Sequence, residues 1–187
     1  MLEVYDDSRL GDAGPNDLSD ALERGAIVYF PRSPVPLPSD DVLAFCREQL
    51  PKLLKLKNIS YYPEAGHVSG LDTDDQAVRQ RAHIILVTMS NNITAFLSRT
   101  APRLTKGWTV GTCSFRPMQE KGRNLKPHAS NELVHIDAGA YGATNGGRIL
   151  RFLSMSIQMK IGFGQPRALF RNCIVDTGRR RKSDPNT

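Results

Sequence analysis

The stretch LVHIDAGAYGATNGGRILRF, residues 133–152, places a histidine and an aspartate two positions apart on an apolar segment. Successive side chains of a β-strand point to opposite faces of the sheet, so His135 and Asp137 share one face while Val134 and Ile136 share the other. If the apolar pair packs on a hydrophobic layer, the imidazole and the carboxylate converge in a cleft. The glycine-rich turn and second apolar run that follow predict a region of β-structure.

This pair of side chains points to metal chemistry. An imidazole and a carboxylate are two of the three ligands of the 2-His-1-carboxylate set that binds Fe(II) and leaves coordination positions open. The third ligand would be a histidine from a distant strand. A zinc site built from His128, His135 and Asp137 is an alternative, although His128 follows Pro127 in a polar loop that favours exposure to solvent. A histidine bonded to an aspartate for purely structural reasons is a further alternative.

The composition is that of a water-soluble globular domain. The 187 residues are 40% hydrophobic and 24% charged, which suffices for one domain with a core. No apolar run approaches the roughly 20 residues of a membrane-spanning helix. The acidic amino terminus, residues 1–14, does not resemble a secretory signal, and the three scattered cysteines predict reduced, buried thiols. We therefore expect a cytoplasmic protein.

The net charge of +6 is concentrated at the carboxyl end. Residues 154–187 hold seven basic and two acidic side chains, whereas residues 1–153 hold eighteen basic and seventeen acidic ones. A basic protein often binds nucleic acid, but here the body is nearly neutral and no recognised nucleic-acid module accompanies the tail. We expect no nucleic-acid partner.

The amino-terminal part reads as helices with one short strand between them. A helix is predicted from an Asn16 or Asp17 cap to Gly25, followed by a buried strand within residues 26–31. A second helix begins at Ser39 or Asp40. Residues 50–63 alternate leucines with lysines, which indicates either a helix end or strand with solvated lysines or, alternatively, a basic and apolar edge for an anionic lipid surface.

The longest helical signal begins at a cap formed by Thr73 or Asp74. The apolar positions expected on its core face are Ala77, Ile84, Ile85, Thr88, Ile93 and Leu97. His83, in the same helix, is predicted to be a packed histidine and not a ligand. From Trp108 onward the sequence is rich in β-branched and aromatic residues, which predicts strands. The expected order is helices first, then an antiparallel β-domain.

Several segments together resemble the Kdo hydroxylase family, the Fe(II)/2-oxoglutarate-dependent 3-hydroxylases of 3-deoxy-D-manno-oct-2-ulosonic acid (Kdo) in lipopolysaccharide. The likeness covers roughly residues 15–153. It is carried by GAIVYFP, KNISYYPEAGHVSGL, SFRP and LVHIDAGAYGATNGGRILRF. The histidine–aspartate pair with the following GGRILRF, and the upstream SFRP, are its most specific parts.

The resemblance implies an α+β fold in which N-terminal helices pack on an incomplete double-stranded β-helix, also called a jelly-roll or cupin-like domain. It implies that carbon 3 of Kdo in a lipid A precursor is hydroxylated while 2-oxoglutarate is converted to succinate and CO2. His135 and Asp137 match the proximal iron ligands. Arg116, in SFRP, could face the cleft toward an anionic group of the substrate, although a structural ion pair is an equal alternative. Peripheral contact with the inner membrane is an added expectation.

The family pattern ends near residue 153. The family continues with further strands, a distal iron histidine and a 2-oxoglutarate arginine, whereas residues 154–187 contain no histidine and end in a basic cluster. Read one base earlier with suitable synonymous codons, residues 154–164 can encode VNVNPNEDRVW, which resembles the family's continuation. We therefore expect two segments: residues 1–153 as the N-terminal portion of one Kdo-hydroxylase-like domain, and residues 154–187 as a basic tail that is disordered or translated out of frame.

A polypeptide of this kind is expected to be inactive, because two protein ligands hold iron only weakly. Two other interpretations stay open. One is a non-catalytic cupin-like module that binds a sugar or a metal. The other is a protein whose basic cluster, residues 179–182, binds an anionic membrane or nucleic acid.

Overall fold

The computed structural model describes residues 1–55, 58–116 and 149–154, together with the backbone of residues 177–178. The helices are α1 (Asp7–Asp12), α2 (Asp17–Glu23), α3 (Asp40–Glu48), a 3-10 turn (Leu50–Leu53), α4 (Gln76–Thr100) and α5 (Pro102–Thr105). The strands are β1 (Leu2–Val4), β2 (Ile27–Tyr29), β3 (Ile59–Tyr62), β4 (His67–Ser69), β5 (Thr109–Val110), β6 (Cys113–Phe115), β7 (Ile149–Leu150) and β8 (Thr177–Gly178).

The amino-terminal elements form a small unit around a parallel pair of strands. β1 pairs with β2 in the register Leu2 to Ile27, and α2 lies between them in the sequence. α2 follows Asn16 and ends before Gly25, whose φ of +79° is easily adopted by glycine alone, so the predicted helix is confirmed. Tyr5 and Leu18 are buried beneath this unit.

The central layer is a three-stranded antiparallel sheet with strand order β4-β3-β6, against which α4 packs. The buried core between them draws on α3, α4 and the sheet, and includes Phe45, Ile59, Ile93, Phe96 and Cys113. α3 begins after Ser39 as predicted and buries three apolar side chains. Phe152, which follows β7, joins the same core through ring contacts with Phe30 and Phe96.

A second antiparallel sheet has the order β5-β8-β7. β8 lies within residues 154–187, which the sequence suggested as a tail, and its backbone pairs Thr177 with Val110 and Leu150. The described residues thus combine helices with small antiparallel sheets, consistent with an α+β class. They include no closed barrel.

The strand predicted within residues 26–31 is confirmed as β2, but the expectation that it is buried was wrong. Ile27 and Tyr29 are 69% and 53% exposed, because the two-stranded sheet packs on the core through one face only. A short apolar run does not reveal whether one or both of its faces will be covered.

Two expectations for the long helix need correction. Its cap is Asp75 and not the predicted Thr73 or Asp74, because the Asp75 carboxylate accepts hydrogen bonds from the backbone N–H groups of Ala77 and Val78. The expected core face is confirmed only in part: Ile93 and Leu97 are buried and Ile85 packs against the core, whereas Ala77, Ile84 and Thr88 are exposed. The buried residues are Ala82, Leu86, Ser90, Ile93, Phe96 and Leu97.

The predicted order of helices first and strands second was also wrong, since β3 and β4 precede α4. The strand predicted from Trp108 onward is replaced by two short strands in different sheets, β5 and β6. The expectation of free thiols is confirmed for Cys46, which is buried and reduced, but was wrong for Cys113, which is disulfide-bonded. Within the described ranges, no helix has both the length and the apolar character needed to span a bilayer.

Candidate functional site

The residues predicted to bind metal, His135 and Asp137, lie outside the described residues, as does His128 of the zinc alternative. The part of the chain that the structure describes holds no group of three potential metal-binding side chains. His83, as predicted, packs within the fold, with its ring edge-on to Tyr61 at 5.6 Å. Of the predicted site residues, Arg116 alone can be placed: it directly follows β6 and is half-buried.

The sheet β4-β3-β6 has two chemically different faces. Its register pairs Ile59 with Phe115 and Tyr61 with Cys113 on one face. Side chains of this face, together with Val68 of β4, belong to the core against α4. Helix packing therefore covers the apolar side of the sheet, and the opposite side carries every second residue of the same strands.

That opposite side is polar, and we call it the polar face. Strand alternation and register assign to it Asn58, Ser60, Tyr62, His67, Ser69, Ser114 and Arg116. At its centre the hydroxyls of Ser60 and Ser114 are 2.8 Å apart, and the Asn58 side-chain amide donates a hydrogen bond of 2.9 Å to Ser60. Ser60 is 5% exposed, whereas Asn58 and Ser114 are partly exposed, so the cluster has a buried centre and accessible sides.

Arg116 lies at one end of the polar face. Extending the register by one pair beyond Ile59 and Phe115 sets Arg116 opposite Asn58. Arg116 interacts with another group of the protein, so a structural role is the alternative to a substrate contact. Its position beside hydroxyl and amide groups is nevertheless the setting in which a guanidinium can bind a carboxylate.

An aromatic pair lies at the other end of the polar face. Tyr62 and His67 occupy directly opposed positions on β3 and β4, and their rings stack with centroids 5.1 Å apart and planes 14° apart. Tyr62 is 40% exposed, so part of its ring meets solvent. Sequence reasoning missed both this pair and the serine pair, although the alternation of Asn58, Ser60 and Tyr62 is the signal that could have indicated them.

An apolar cavity of about 50 Å³ lies between α3, α4 and the sheet. Its walls include Leu43, Leu50, Leu86 and Phe115. Cys46 also lines it, and burial raises the pKa of this thiol to about 12. A thiol with that pKa stays protonated near neutral pH, so Cys46 is a packing residue and not a nucleophile.

Comparison with known proteins identifies a family and several solved structures that are similar to most of the chain. The family model for 3-deoxy-D-manno-oct-2-ulosonic acid (Kdo) hydroxylase matches residues 8–157, and no curated protein matches the chain. The apo structure of the Kdo hydroxylase KdoO, a non-heme Fe(II) alphaketoglutarate dependent dioxygenase, matches with a TM-score of 0.66 and 24% identity over 82% of this chain. Its cobalt(II) complex matches with a TM-score of 0.67 at the same identity and coverage of this chain.

The chain spans about half the length of these solved proteins, 51% and 52% respectively. At 24% identity the structural likeness establishes the fold, and the family model, which covers most of the chain, carries the assignment to a family.

Proposed function

The chain belongs to the Kdo hydroxylase family, and from that membership we propose that it derives from an Fe(II)- and 2-oxoglutarate-dependent dioxygenase that hydroxylates carbon 3 of Kdo in the lipopolysaccharide inner core. The observation that carries the proposal is the family match over residues 8–157, because this range includes His135, Asp137 and Arg116. Two further KdoO structures support the iron and 2-oxoglutarate requirement by analogy, since one holds Fe(III) with alphaketoglutarate and the other Fe(III) with succinate.

The fold proposed for the intact enzyme is a double-stranded β-helix with helices on its outside. The two-faced sheet β4-β3-β6 supports it, since α4 covers the apolar face while the polar face holds the hydrogen-bonding groups. In a closed pair of sheets the inner face is the one that can line a ligand cavity. The polar face is thus the proposed inner wall of the active site.

His135 and Asp137 would hold the iron. A neutral imidazole and an ionised carboxylate fit Fe(II), which accepts mixed nitrogen and oxygen ligands. Bound there, iron would supply the oxidising chemistry for the C–H bond of the sugar. The protein's own contribution would be to orient the substrate, and Arg116 is proposed to bind an anionic group of Kdo by charge-assisted hydrogen bonds.

We propose that residues 1–153 are the N-terminal portion of one hydroxylase domain and that residues 154–187 do not belong to it. The family match, which stops at residue 157, supports a boundary near residue 153, although β8 of the second segment pairs with β5 and β7 of the first. The genomic sequence around codon 153 tests it. The proposal expects an open neighbouring frame that encodes the family's continuation with a further histidine, and it fails if that frame is closed.

We further propose that a polypeptide of these 187 residues does not turn over. After Asp137 the sequence contains no histidine, so a 2-His-1-carboxylate set cannot be completed from a later strand of this polypeptide. The test compares this polypeptide with the downstream-frame protein, meaning the protein translated in the neighbouring frame after codon 153. It combines an Fe(II) titration with a measurement of succinate release in the presence of Kdo-lipid. Metal binding without turnover in both proteins would favour a cupin-like binding module instead.

The proposed substrate is a Kdo-containing lipid A precursor, and the proposed location is the cytoplasm with peripheral contact at the inner membrane. A lipid-linked substrate supports the membrane contact. Sedimentation with anionic vesicles tests it, with a protein lacking residues 179–182 as the comparison. Equal retention of both proteins would exclude the basic cluster as the membrane-binding element.

A further inference from the structure

We infer that Tyr62 and His67 form a stacking platform for the pyranose ring of the sugar substrate, at the end of the polar face remote from Arg116. The inference rests on the proposed function for the identity of the sugar, and it adds a recognition site that the iron-binding pair does not supply. The platform consists of the Tyr62 ring, backed by His67 across the β3–β4 pair.

The rings have the geometry of a rigid flat surface. Their centroids lie 5.1 Å apart and their planes are within 14° of parallel, so one ring supports the other. Part of the Tyr62 side chain is exposed, while its backbone is fixed in the central strand of the sheet. An aromatic face is electron-rich, and it attracts the weakly positive C–H groups on one side of a pyranose.

The hairpin that carries the pair is held in one conformation. The backbone N–H groups of Ala65 and Gly66 both donate to the Tyr62 carbonyl, and Gly66 has a φ of +63°. After β4, Gly70 lies so close to the Asn58 carbonyl that a Cβ there would be only 2.3 Å from its oxygen. The platform is therefore preorganised, and a ligand would lose little free energy in ordering it.

The platform continues directly into the hydrogen-bonding part of the polar face. Tyr62 and Ser60 are two residues apart on one strand, a distance of roughly 7 Å. A pyranose stacked on Tyr62 would hold its hydroxyl rim toward the partly exposed Ser114 and Asn58 side chains, with an anionic substituent in the direction of Arg116. An apolar surface at one end and a cation at the other suit a sugar acid better than a neutral sugar or a simple anion.

The competing explanation is that the Tyr62–His67 contact only stabilises the hairpin, as cross-strand pairs commonly do. The two explanations differ in what happens to ligand binding. A purely structural pair would alter the melting temperature when removed and leave sugar affinity unchanged, whereas a platform would lose affinity even in variants that remain folded.

The test is an NMR and calorimetric titration of the full chain with Kdo and, separately, with a neutral methyl pyranoside. We expect the ring signals of Tyr62 and His67 to shift on addition of Kdo. Tyr62→Ala should weaken Kdo binding about fivefold, and Tyr62→Phe should bind within twofold of the parent chain, since stacking needs the ring and not the hydroxyl. Tyr29→Ala removes an exposed tyrosine from the other sheet and is the matched control, with unchanged affinity expected.

Ring signals that do not respond to either sugar would overturn the platform without any need for a variant. A folded Tyr62→Ala chain with parental affinity would do the same.

Enzyme assays separate this inference from the proposed function. If the ring signals shift but the downstream-frame protein releases no succinate in response to Kdo, the platform is supported and the proposed hydroxylase function is contradicted. If Tyr62→Ala turns over with an unchanged KM for the Kdo substrate, the proposed function is supported and the platform is contradicted.

Discussion

Glu3 shows how a single carboxylate connects three amino-terminal elements. Arg9 of α1 and Arg24 after α2 both form ion pairs with the Glu3 side chain on β1, which is only 10% exposed. The hydrogen bond from Arg9 lowers the pKa of Glu3. Partial burial opposes this shift, and Arg24 adds to it. The ionised form is therefore favoured in the folded state.

Because the folded-state pKa lies below the unfolded one, the contribution of Glu3 is present above the unfolded pKa, about 4.3. It is lost as the pH falls through the lower, folded-state pKa. We expect the parent chain to melt at a higher temperature than Glu3→Gln at pH 7, with a gap that narrows below about pH 4. Glu64→Gln, in the exposed β3–β4 turn, is the charge-matched control. A gap that is constant across this range would contradict the assignment.

Gly70 is a second residue with a specific structural requirement. It combines a φ of +94° with a close approach to the backbone of Asn58. Gly70→Ala should lower the free energy of unfolding by about 2 kcal/mol or more, since it adds both backbone strain and a clash. Gly66→Ala is the control, because Gly66 has a φ of +63° but open space around it, and about 1 kcal/mol is expected. Urea denaturation of both variants measures the difference, and equal losses would contradict the clash.

At the scale of elements, the long helix α4 shows what local sequence rules can and cannot predict. The sequence indicated a cap at Thr73 or Asp74, and the side-chain hydrogen bonds place it at Asp75 instead. Thr73 accepts a hydrogen bond from the Asp75 backbone, so it supports the cap without forming it. The buried face depends on where the sheet lies, and the sequence of the helix alone does not contain that information.

The cap gives a direct prediction. Asp75→Ala should destabilise the fold by about 1 kcal/mol, because two N–H groups of the first turn lose their acceptor. Asp74→Ala removes the same charge from the neighbouring exposed position and should cost less than half as much. Chemical denaturation of the two variants measures the contrast. A larger loss for Asp74→Ala would move the cap back to the position expected from the sequence.

The two isoleucines Ile27 and Ile59 test the distinction between an open and a covered strand. Ile59 is 0% exposed within the central sheet, while Ile27 is mostly exposed on the two-stranded one. Ile59→Ala should cost about 2–5 kcal/mol, whereas Ile27→Ala should cost less than about 1 kcal/mol. Similar losses in thermal or chemical unfolding would mean that the outer face of β1 and β2 is covered in solution.

At the scale of the whole molecule, the family could be predicted from the sequence because its motifs are local. HxD, SFRP and the apolar strand segments each fit within about twenty residues, and the family model confirms the assignment they suggested. The polar face could not be predicted in the same way. Ser60 and Ser114 are 54 positions apart, and only the antiparallel register of β3 and β6 brings their hydroxyls within 2.8 Å.

The same reasoning explains the errors in the strands. Alternation predicted a strand from Trp108, but it gave no information about the break that assigns Thr109 and Cys113 to different sheets. Pairing partners distant in sequence decide such breaks, and short-range propensity is overridden by them. His135 and Asp137, whose type and spacing were read directly from the sequence, remain a prediction.

The central claim is that His135 and Asp137 hold the iron of a Kdo hydroxylase. Its most direct test is Kdo-dependent succinate release by the downstream-frame protein, which is translated in the neighbouring frame after codon 153. With Fe(II), 2-oxoglutarate and Kdo-lipid, we predict succinate formation that depends on Kdo, is abolished in His135→Ala and in Asp137→Ala, and persists in the control His83→Ala. Absence of a coding downstream frame, or Kdo-dependent turnover that survives the loss of His135, would contradict the claim.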